Sequence, residues 1–269
     1  MNYLKHLFIG FVTLISILSC SGEDIEAGNG NLTLEFENGF GNLGTIVLDN
    51  TTQTSSNNQK HKFTTLKYII SNVVLTKEDG SEVKYNYNNP DLGAFIIDQA
   101  DAEGGIVDIP LFNIPVANYT KIKFGLGISP TAYLLGETGQ ADFLTKANSK
   151  ELFWTWASGY IFMKLEGKYG TSTADTNFAN HVGNVGDTTT NGNPNMYREI
   201  SLNLPVSAKV RTDITPDIHL KVDFNKFLDG ATPITLSGSN DDLMGHSSGL
   251  ITVIDNLTAA FSVDHVHND

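Results

Sequence analysis

Histidines are the side chains of this 269-residue chain best suited to metal chemistry. Neutral imidazole binds copper and several other transition metals. Beyond the first 20 residues the histidines are His61, His181, His219, His246, His265 and His267. His265 and His267 are two residues apart, so both rings point to the same side of an extended chain. We therefore predict that this pair chelates one metal ion.

Two further histidines stand in segments that can be interpreted from sequence. His246 lies two residues from Met244 in a polar stretch, where the two can join a metal site. His219 alternates with Ile218 and Leu220 in a strand pattern, which predicts a structural residue on the strand's polar face. His61 borders a polar, turn-rich stretch and receives no predicted role.

A serine-hydrolase motif can be dismissed on its context. Residues 245–249 fit G-x-S-x-G, which requires the serine on a sharp turn between a strand and a helix. The segment between Ser247 and His265 is too short for the remaining elements of such a hydrolase. The chain also contains no P-loop, zinc-protease or dinucleotide-binding motif. We predict no catalytic residues and a protein that is not an enzyme.

The charge balance narrows the class of partner. There are 17 Lys and Arg against 30 Asp and Glu, a formal net charge of −13. Phosphate contacts need clusters of Lys and Arg, so we predict no nucleic-acid partner. An acidic surface instead attracts cations.

The first 30 residues have the pattern of an exported lipoprotein. Lys5 precedes an apolar run from Leu7 to Leu18, too short to span a membrane. Cys20, the one cysteine of the chain, follows at the position of a bacterial lipobox. We predict a signal peptide over 1–19, a lipidated tether over 20–30, and membrane attachment through the lipid on Cys20. The predicted location is the outer membrane, facing the periplasm or exposed at the surface.

Strand patterns dominate the rest of the chain. Residues 160–165 alternate with apolar side chains on both faces, which predicts a central strand, and residues 122–128 predict a second inner strand. Both tryptophans, Trp154 and Trp156, precede the first of these, and in an extended chain they would point the same way.

The spacing of these patterns predicts the architecture. We predict an all-β fold, a single antiparallel β-sandwich over 31–269 with long loops and one or two short helical turns. Helical structure is expected within 129–150 and a helical turn at 224–228. Residues 170–195 are expected to form a long loop, and 250–254 a strand.

Three motifs carry a resemblance to a known family. The chain has W-x-W-x-x-G-Y at 154–160, K-x-E-G at 164–167 and F-x-x-H-x-G at 178–183. Together they resemble the MbnP-like family of copper-binding proteins, named for methanobactin-associated periplasmic and surface proteins. The resemblance implies one β-sandwich domain and a copper ligand at His181.

The same resemblance implies a modified tryptophan. In copper-binding members a tryptophan is oxidised to kynurenine and joins histidines at the copper, which implies a tryptophan-oxidising haem protein as partner. Trp154 and Trp156 are the candidates. This chain has Phe153 where relatives tend to carry a histidine, which moves the expected copper site toward other residues such as His265 and His267.

Two functions follow from these observations. The first is an extracytoplasmic lipoprotein that sequesters or hands on copper through histidines and an oxidised tryptophan. The alternative is a non-catalytic lipoprotein that binds a glycan or protein at the cell surface, with Trp and Tyr rings as stacking faces.

Overall fold

A computed structural model describes residues 27–41 and 44–269 of the chain. The strands are β1 (Asn29–Gly39), β2 (Gln53–Thr54), β3 (Lys60–Lys77), β4 (Glu82–Lys84), β5 (Ala94–Asp98), β6 (Ile106–Pro115), β7 (Ala117–Leu126), β8 (Phe153–Trp154), β9 (Gly159–Gly170), β10 (Thr176–Gly183), β11 (Arg198–Val210), β12 (Asp217–Asp223), β13 (Asp242–Met244) and β14 (Phe261–His267). The helices are α1 (Pro90–Gly93), α2 (Pro130–Tyr133), α3 (Ala141–Ser149), α4 (Lys226–Asp229) and α5 (Gly249–Leu257). The predicted signal peptide, Cys20 and most of the predicted tether lie outside the described residues.

The strands form two sheets. The smaller sheet has the order β14-β12-β1-β6. The larger sheet follows the path β11-β7-β3-β9-β10-β13, with β2, β4 and β5 also pairing with β3, and β8 with β9. Most neighbours are antiparallel, whereas β1–β12 and β10–β13 are parallel pairs. The all-β sandwich predicted from the sequence is confirmed.

Aromatic rings pack between the two sheets. Phe36 of the smaller sheet meets Phe124 of the larger sheet edge-to-face at 6.2 Å, and Phe124 meets Phe261 at 5.5 Å. Burial of such side chains is the main source of stability in a sandwich. The alternation of each strand then fixes which residues face this core and which face outward.

The strand β9 lies between β3 and β10 and is buried on both faces. Its side chains from Tyr160 to Leu165 are all buried, as the alternation predicts. On the face away from the core, α3 covers the sheet and Phe143 packs on Tyr160 at 5.6 Å. The prediction of a central strand with two buried faces is therefore confirmed.

Two local predictions are wrong. Residues 170–195 are not one long loop, because β10 occupies 176–183 within them. Residues 250–254 do not form a strand but lie within the helix α5. The buried residues of α5 include Leu250, Val253, Ile254 and Leu257, which is helical spacing.

The helices are more numerous than the one or two turns predicted. Those expected within 129–150 are present as α2 and α3, and the turn expected at 224–228 is present as α4. None of the helices in the described part of the chain has the length and apolar character needed to cross a membrane.

His61 lies fully buried at the start of β3, away from the other histidines discussed below. Its ring stacks on Phe40 at 6.3 Å, and Nε2 lies 3.3 Å from Ser55 Oγ. Burial lowers the pKa of His61 to about 4, against a weaker opposing effect of Asp229. The imidazole is therefore neutral in the folded protein at neutral pH and has a core role.

Replacing His61 with Gln should make the free energy of unfolding less dependent on pH between about 4 and 6.5. The folded-state pKa lies below the ordinary value of 6.5, so the neutral ring favours folding above pH 6.5. That contribution, at most about 3 kcal/mol, is lost as the pH falls from 6.5 to about 4. The free energy of unfolding, measured with denaturant across this range, should fall less steeply in the variant. The exposed His246→Gln serves as control, and equal slopes in all three proteins would contradict the assignment.

Candidate metal centre

Three imidazole rings converge on the outward face of the smaller sheet. His219 Nδ1 lies 3.4 Å from His265 Nε2, and His265 Nε2 lies 2.8 Å from His267 Nε2. The ring centroids of His219 and His265 are 4.7 Å apart, and those of His265 and His267 are 4.5 Å apart. We call His219, His265 and His267 the histidine cluster. His265 Nε2 thus lies between His219 Nδ1 and His267 Nε2, and we call these three atoms the inner nitrogens.

Strand register brings the cluster together. His219 on β12 lies directly opposite Glu35 on β1 and His265 on β14. His267 lies opposite Asp217, two residues along β12. Because Ile218 and Leu220 face the core, His219 must face outward, where its neighbours on both sides are polar.

A bulge at Asp264 decides the orientation of the β14 histidines. Leu220 pairs with Val263 while His219 pairs with His265, so Asp264 is an extra residue on β14. Unbroken alternation from Phe261 and Val263 would turn His265 and His267 toward the core. The bulge shifts the alternation by one residue, so that both histidines face outward beside His219.

Carboxylates lie beside the second nitrogen of each ring, which we call the outer nitrogen. His219 Nε2 is 3.0 Å from Glu37 Oε2, and His265 Nδ1 is 2.7 Å from Asp264 Oδ2. His267 Nδ1 is 3.9 Å from Asp269 Oδ1. A carboxylate that accepts the outer N–H leaves a lone pair on the inner nitrogen and makes it more basic. The arrangement is that of metal-ligating histidines with their supporting acids.

The surroundings of the cluster are acidic. Burial, Asp217 and Asp108 raise the pKa of Glu35, and His219 and His267 oppose them. Hydrogen bonds from His265 and Lys221 lower the pKa of Asp264. A cation bound between these groups would reduce the mutual repulsion of the carboxylates.

His265 Nε2 is close enough to an inner nitrogen of each neighbouring histidine to share a metal ion with it. Two ligand atoms that each lie about 2 Å from one metal can be no more than about 4 Å apart. The 3.4 Å and 2.8 Å separations both satisfy this limit. Among the described residues, the group whose ligand atoms all lie within 4.8 Å of one another is His219, Asp264 and His265, and His267 adjoins it through His265. Imidazole donors suit copper, zinc or nickel, so the donor set is that of a transition-metal site.

His219 is the member of the histidine cluster that the sequence did not predict as a candidate ligand. Its position on the polar face of a strand was correctly inferred, but that position alone predicted only a surface residue. Its partner His265 is 46 residues away in sequence, and no local spacing relates the two. The sequence contained two signals, the alternation of β12 and the H-x-H of β14. Only the pairing of these two strands shows that they belong to one cluster.

His181 and His246 lie apart from the cluster. His181 is on β10 of the larger sheet, where its Nε2 contacts Glu166 Oε1 at 2.8 Å. Phe178, Asn180 and Val182 are the buried residues that alternate with it, so His181 faces outward. It therefore lies on the opposite side of the sandwich from His265, and the two cannot share one ion.

The tryptophans belong to the same side of the molecule as His246. Trp154 is 6% exposed and Trp156 is 64% exposed, with ring centroids 5.8 Å apart. Trp156 approaches Gly245 so closely that a Cβ there would lie 3.0 Å from its ring. The expectation of one extended tryptophan strand is wrong, because β8 ends at Trp154 and residues 155–158 form a turn before β9.

Phe153 has a packing role. It meets Tyr160 edge-to-face at 5.2 Å, across the β8–β9 pair. Tyr160 packs in turn on α3 through Phe143. An aromatic ring thus occupies the position where the family resemblance implied a histidine ligand.

Comparison with known proteins gives two matches. The sequence model of the MbnP family matches residues 29–245. Among solved structures, MbnP from Methylosinus trichosporium is similar, with 11% sequence identity and a TM-score of 0.41 over 70% of this chain and 75% of that chain. No curated protein matches the chain. His219 lies within the matched residues, and His265 and His267 follow them.

Mild oxidation should modify Trp156 and spare Trp154. The difference in exposure between the two rings is the reason, since a reagent or partner must reach the indole. Limited N-bromosuccinimide treatment followed by peptide mass mapping should show modification at Trp156 first. Trp156 should account for the rapid phase of indole oxidation. This phase should disappear in Trp156→Phe and remain in Trp154→Phe. A rapid phase that persists in Trp156→Phe would contradict this.

Proposed function

Because the chain belongs to the MbnP family, we propose that it binds copper outside the cytoplasm through the histidine cluster and sequesters or hands on the metal without catalysing a reaction. The approach of His265 Nε2 to His219 Nδ1 at 3.4 Å and to His267 Nε2 at 2.8 Å is the observation that carries this proposal. The choice of copper among transition metals comes from the family.

Each residue of the cluster has a distinct task in this proposal. His219 Nδ1, His265 Nε2 and His267 Nε2 donate their lone pairs to the metal. Glu37 and Asp264 accept the outer N–H groups of His219 and His265, which fixes the ring orientation and the tautomer. Lys221 holds Asp264 at 3.0 Å and so supports the β14 side of the site.

The exposure of the cluster supports a role in carrying copper. The side chain of His219 is 11% exposed, whereas those of His265 and His267 are 40% and 54% exposed. Two ligands on an exposed strand can be reached by a competing ligand from a partner protein. The acidic surroundings and the net charge of −13 favour the approach of cations.

The tryptophan route remains a separate proposal. Family resemblance supports oxidation by a haem protein partner, and the exposure of Trp156 makes it the residue that such a partner would reach. Trp156 lies near His246 and on the side of the larger sheet. A kynurenine at 156 would therefore serve a copper ion held near His246, distinct from the ion at the histidine cluster.

Replacing any one histidine of the cluster with Asn should weaken copper binding by more than about 100-fold. Loss of a supporting outer residue typically costs 10–100-fold, and loss of a direct ligand should cost more. Affinity is measured by competition with a chromophoric chelator on purified protein. His181→Asn and, in protein whose tryptophans are unmodified, His246→Asn are matched controls, and both should bind as the unaltered chain does. Equal weakening by the controls would contradict assignment of copper to this site.

Cys20 should determine attachment to the membrane. We propose an outer-membrane lipoprotein, because the one cysteine follows an apolar leader at the lipobox position. Cys20→Ser should move the protein from the membrane fraction to the soluble fraction and remove the lipid mass. Protein that stays membrane-bound and lipid-modified in Cys20→Ser would contradict the proposal.

A second candidate function is favoured by one observation. Trp156 exposes 64% of its surface, and Met244 nearby on β13 exposes 39%. An exposed aromatic ring can stack on a sugar or anchor a protein partner. Binding on a glycan array that is lost in Trp156→Ala, by a chain that retains no copper, would favour this alternative.

A further inference from the structure

A cavity of about 200 Å³ opens between α2, α3 and the β8–β9 pair, on the side of the larger sheet. Among the described residues that line this cavity, none carries a positive charge. Its walls include three aromatic rings, two leucines and one carboxylate: Tyr133, Phe153, Tyr160, Leu134, Leu144 and Glu137. The histidine cluster belongs to the smaller sheet, so this cavity is separate from the site proposed for copper.

The polar groups of the cavity wall are hydrogen-bonded to one another. Tyr133 Oη donates to the backbone O of Ser158 at 2.7 Å, and Tyr160 Oη donates to Gln140 Oε1 at 3.1 Å. Gln140 Nε2 donates in turn to the backbone O of Tyr133 at 3.0 Å. These bonds hold the two phenol rings in place and occupy their hydroxyl protons, so a ligand in the cavity meets mainly aromatic and aliphatic carbon.

Carboxylates make the electrostatic potential at the cavity negative. Glu137 is an exposed lining residue. Burial, followed by the charges of Asp187 and Glu137, raises the pKa of Tyr133. Burial, followed by the charge of Asp91, raises the pKa of Tyr160. Three carboxylates therefore act on the two phenols, and both phenols are neutral at neutral pH.

A carbon-walled cavity in a negative potential selects one class of ligand. An anion is repelled, and a neutral apolar molecule gains nothing from the carboxylates. A metal ion or a hydrated ammonium ion needs polar ligands to replace its water, and the walls offer few. A quaternary ammonium ion needs no hydrogen-bond acceptor, because methyl groups cover its charge. Aromatic faces and carboxylates both attract it.

We propose that this cavity binds the trimethylammonium group of a small quaternary ammonium compound that is free in solution. Tyr133, Phe153 and Tyr160 supply the aromatic walls, and Glu137 supplies the negative charge. The rings of Phe153 and Tyr160 meet edge-to-face at 5.2 Å, so they form two walls of different orientation. The volume is below the roughly 300 Å³ at which pockets for drug-sized ligands begin, which suits a compact ion. The proposal does not depend on copper binding.

The experiment compares a cation with a neutral molecule of the same shape. Choline, tetramethylammonium and the neutral alcohol that has carbon in place of the choline nitrogen are titrated into the purified protein by isothermal titration calorimetry. Choline should bind saturably and at least about tenfold more tightly than the neutral alcohol, because only the cation gains from the ring faces and the carboxylate. Ring currents should also shift the N-methyl proton signal of bound choline upfield in ligand-observed NMR.

Two variants test the two parts of the site. Glu137→Gln keeps the side-chain shape and removes the charge, whereas Phe153→Leu keeps an apolar side chain and removes the ring. Each should weaken choline binding by at least about fivefold. Glu137→Gln should leave the affinity for the neutral alcohol unchanged. Glu199→Gln, at an exposed glutamate of β11, is the matched control and should change neither affinity. Circular dichroism and thermal unfolding establish that each variant folds.

Four results would overturn the proposal. They are no saturable binding of choline or tetramethylammonium, equal affinities for choline and the neutral alcohol, an unchanged choline affinity in either Glu137→Gln or Phe153→Leu, and binding to phosphatidylcholine vesicles without binding of free choline. His219→Asn should bind choline as the unaltered chain does, because its side chain lies on the other sheet. The outcome for this cavity is therefore independent of the outcome for copper.

Discussion

The pairing of β12 between β1 and β14 is the constraint on which the candidate metal centre depends. One row across these three strands contains Glu35, His219 and His265. The opposite face of the same strands packs Leu34, Ile218 and Leu220 into the core. A slip of one residue would exchange these faces, so core packing fixes the register, and the register positions the three polar side chains. Stability and the geometry of the site therefore have the same physical origin.

The two faces of the sandwich separate residues that were predicted together from the sequence as copper ligands. The histidine cluster lies on the outward side of the smaller sheet. His181, Trp154, Trp156 and His246 belong to the larger sheet or to its connections. The core between the sheets excludes a single mononuclear site made from both groups. The acidic neighbours of the histidine cluster, Glu35 and Glu37, come from β1 and have no counterpart in the family motifs read from the sequence.

Membership in the MbnP family and the position of this chain's own histidines are separate findings. The family match ends at residue 245, before β14 begins. Two members of the histidine cluster therefore lie beyond the matched region, and Phe153 packs on Tyr160 where a family ligand was expected. The proposal of copper as the metal rests on the family, whereas the proposed position of the site rests on the proximity of the three rings.

The sequence by itself determined the features that depend on local periodicity. Alternation identified β9 as a doubly buried strand, placed His219 on a polar face, and paired His265 with His267. Three motifs identified the family. Only the tertiary structure decided that His219 joins that pair, that the Asp264 bulge turns the pair outward, and that α5 replaces a predicted strand. A local pattern shows only which face of one segment is apolar. Register, bulges and helix packing depend on strand partners that are distant in sequence and on the core that these strands share.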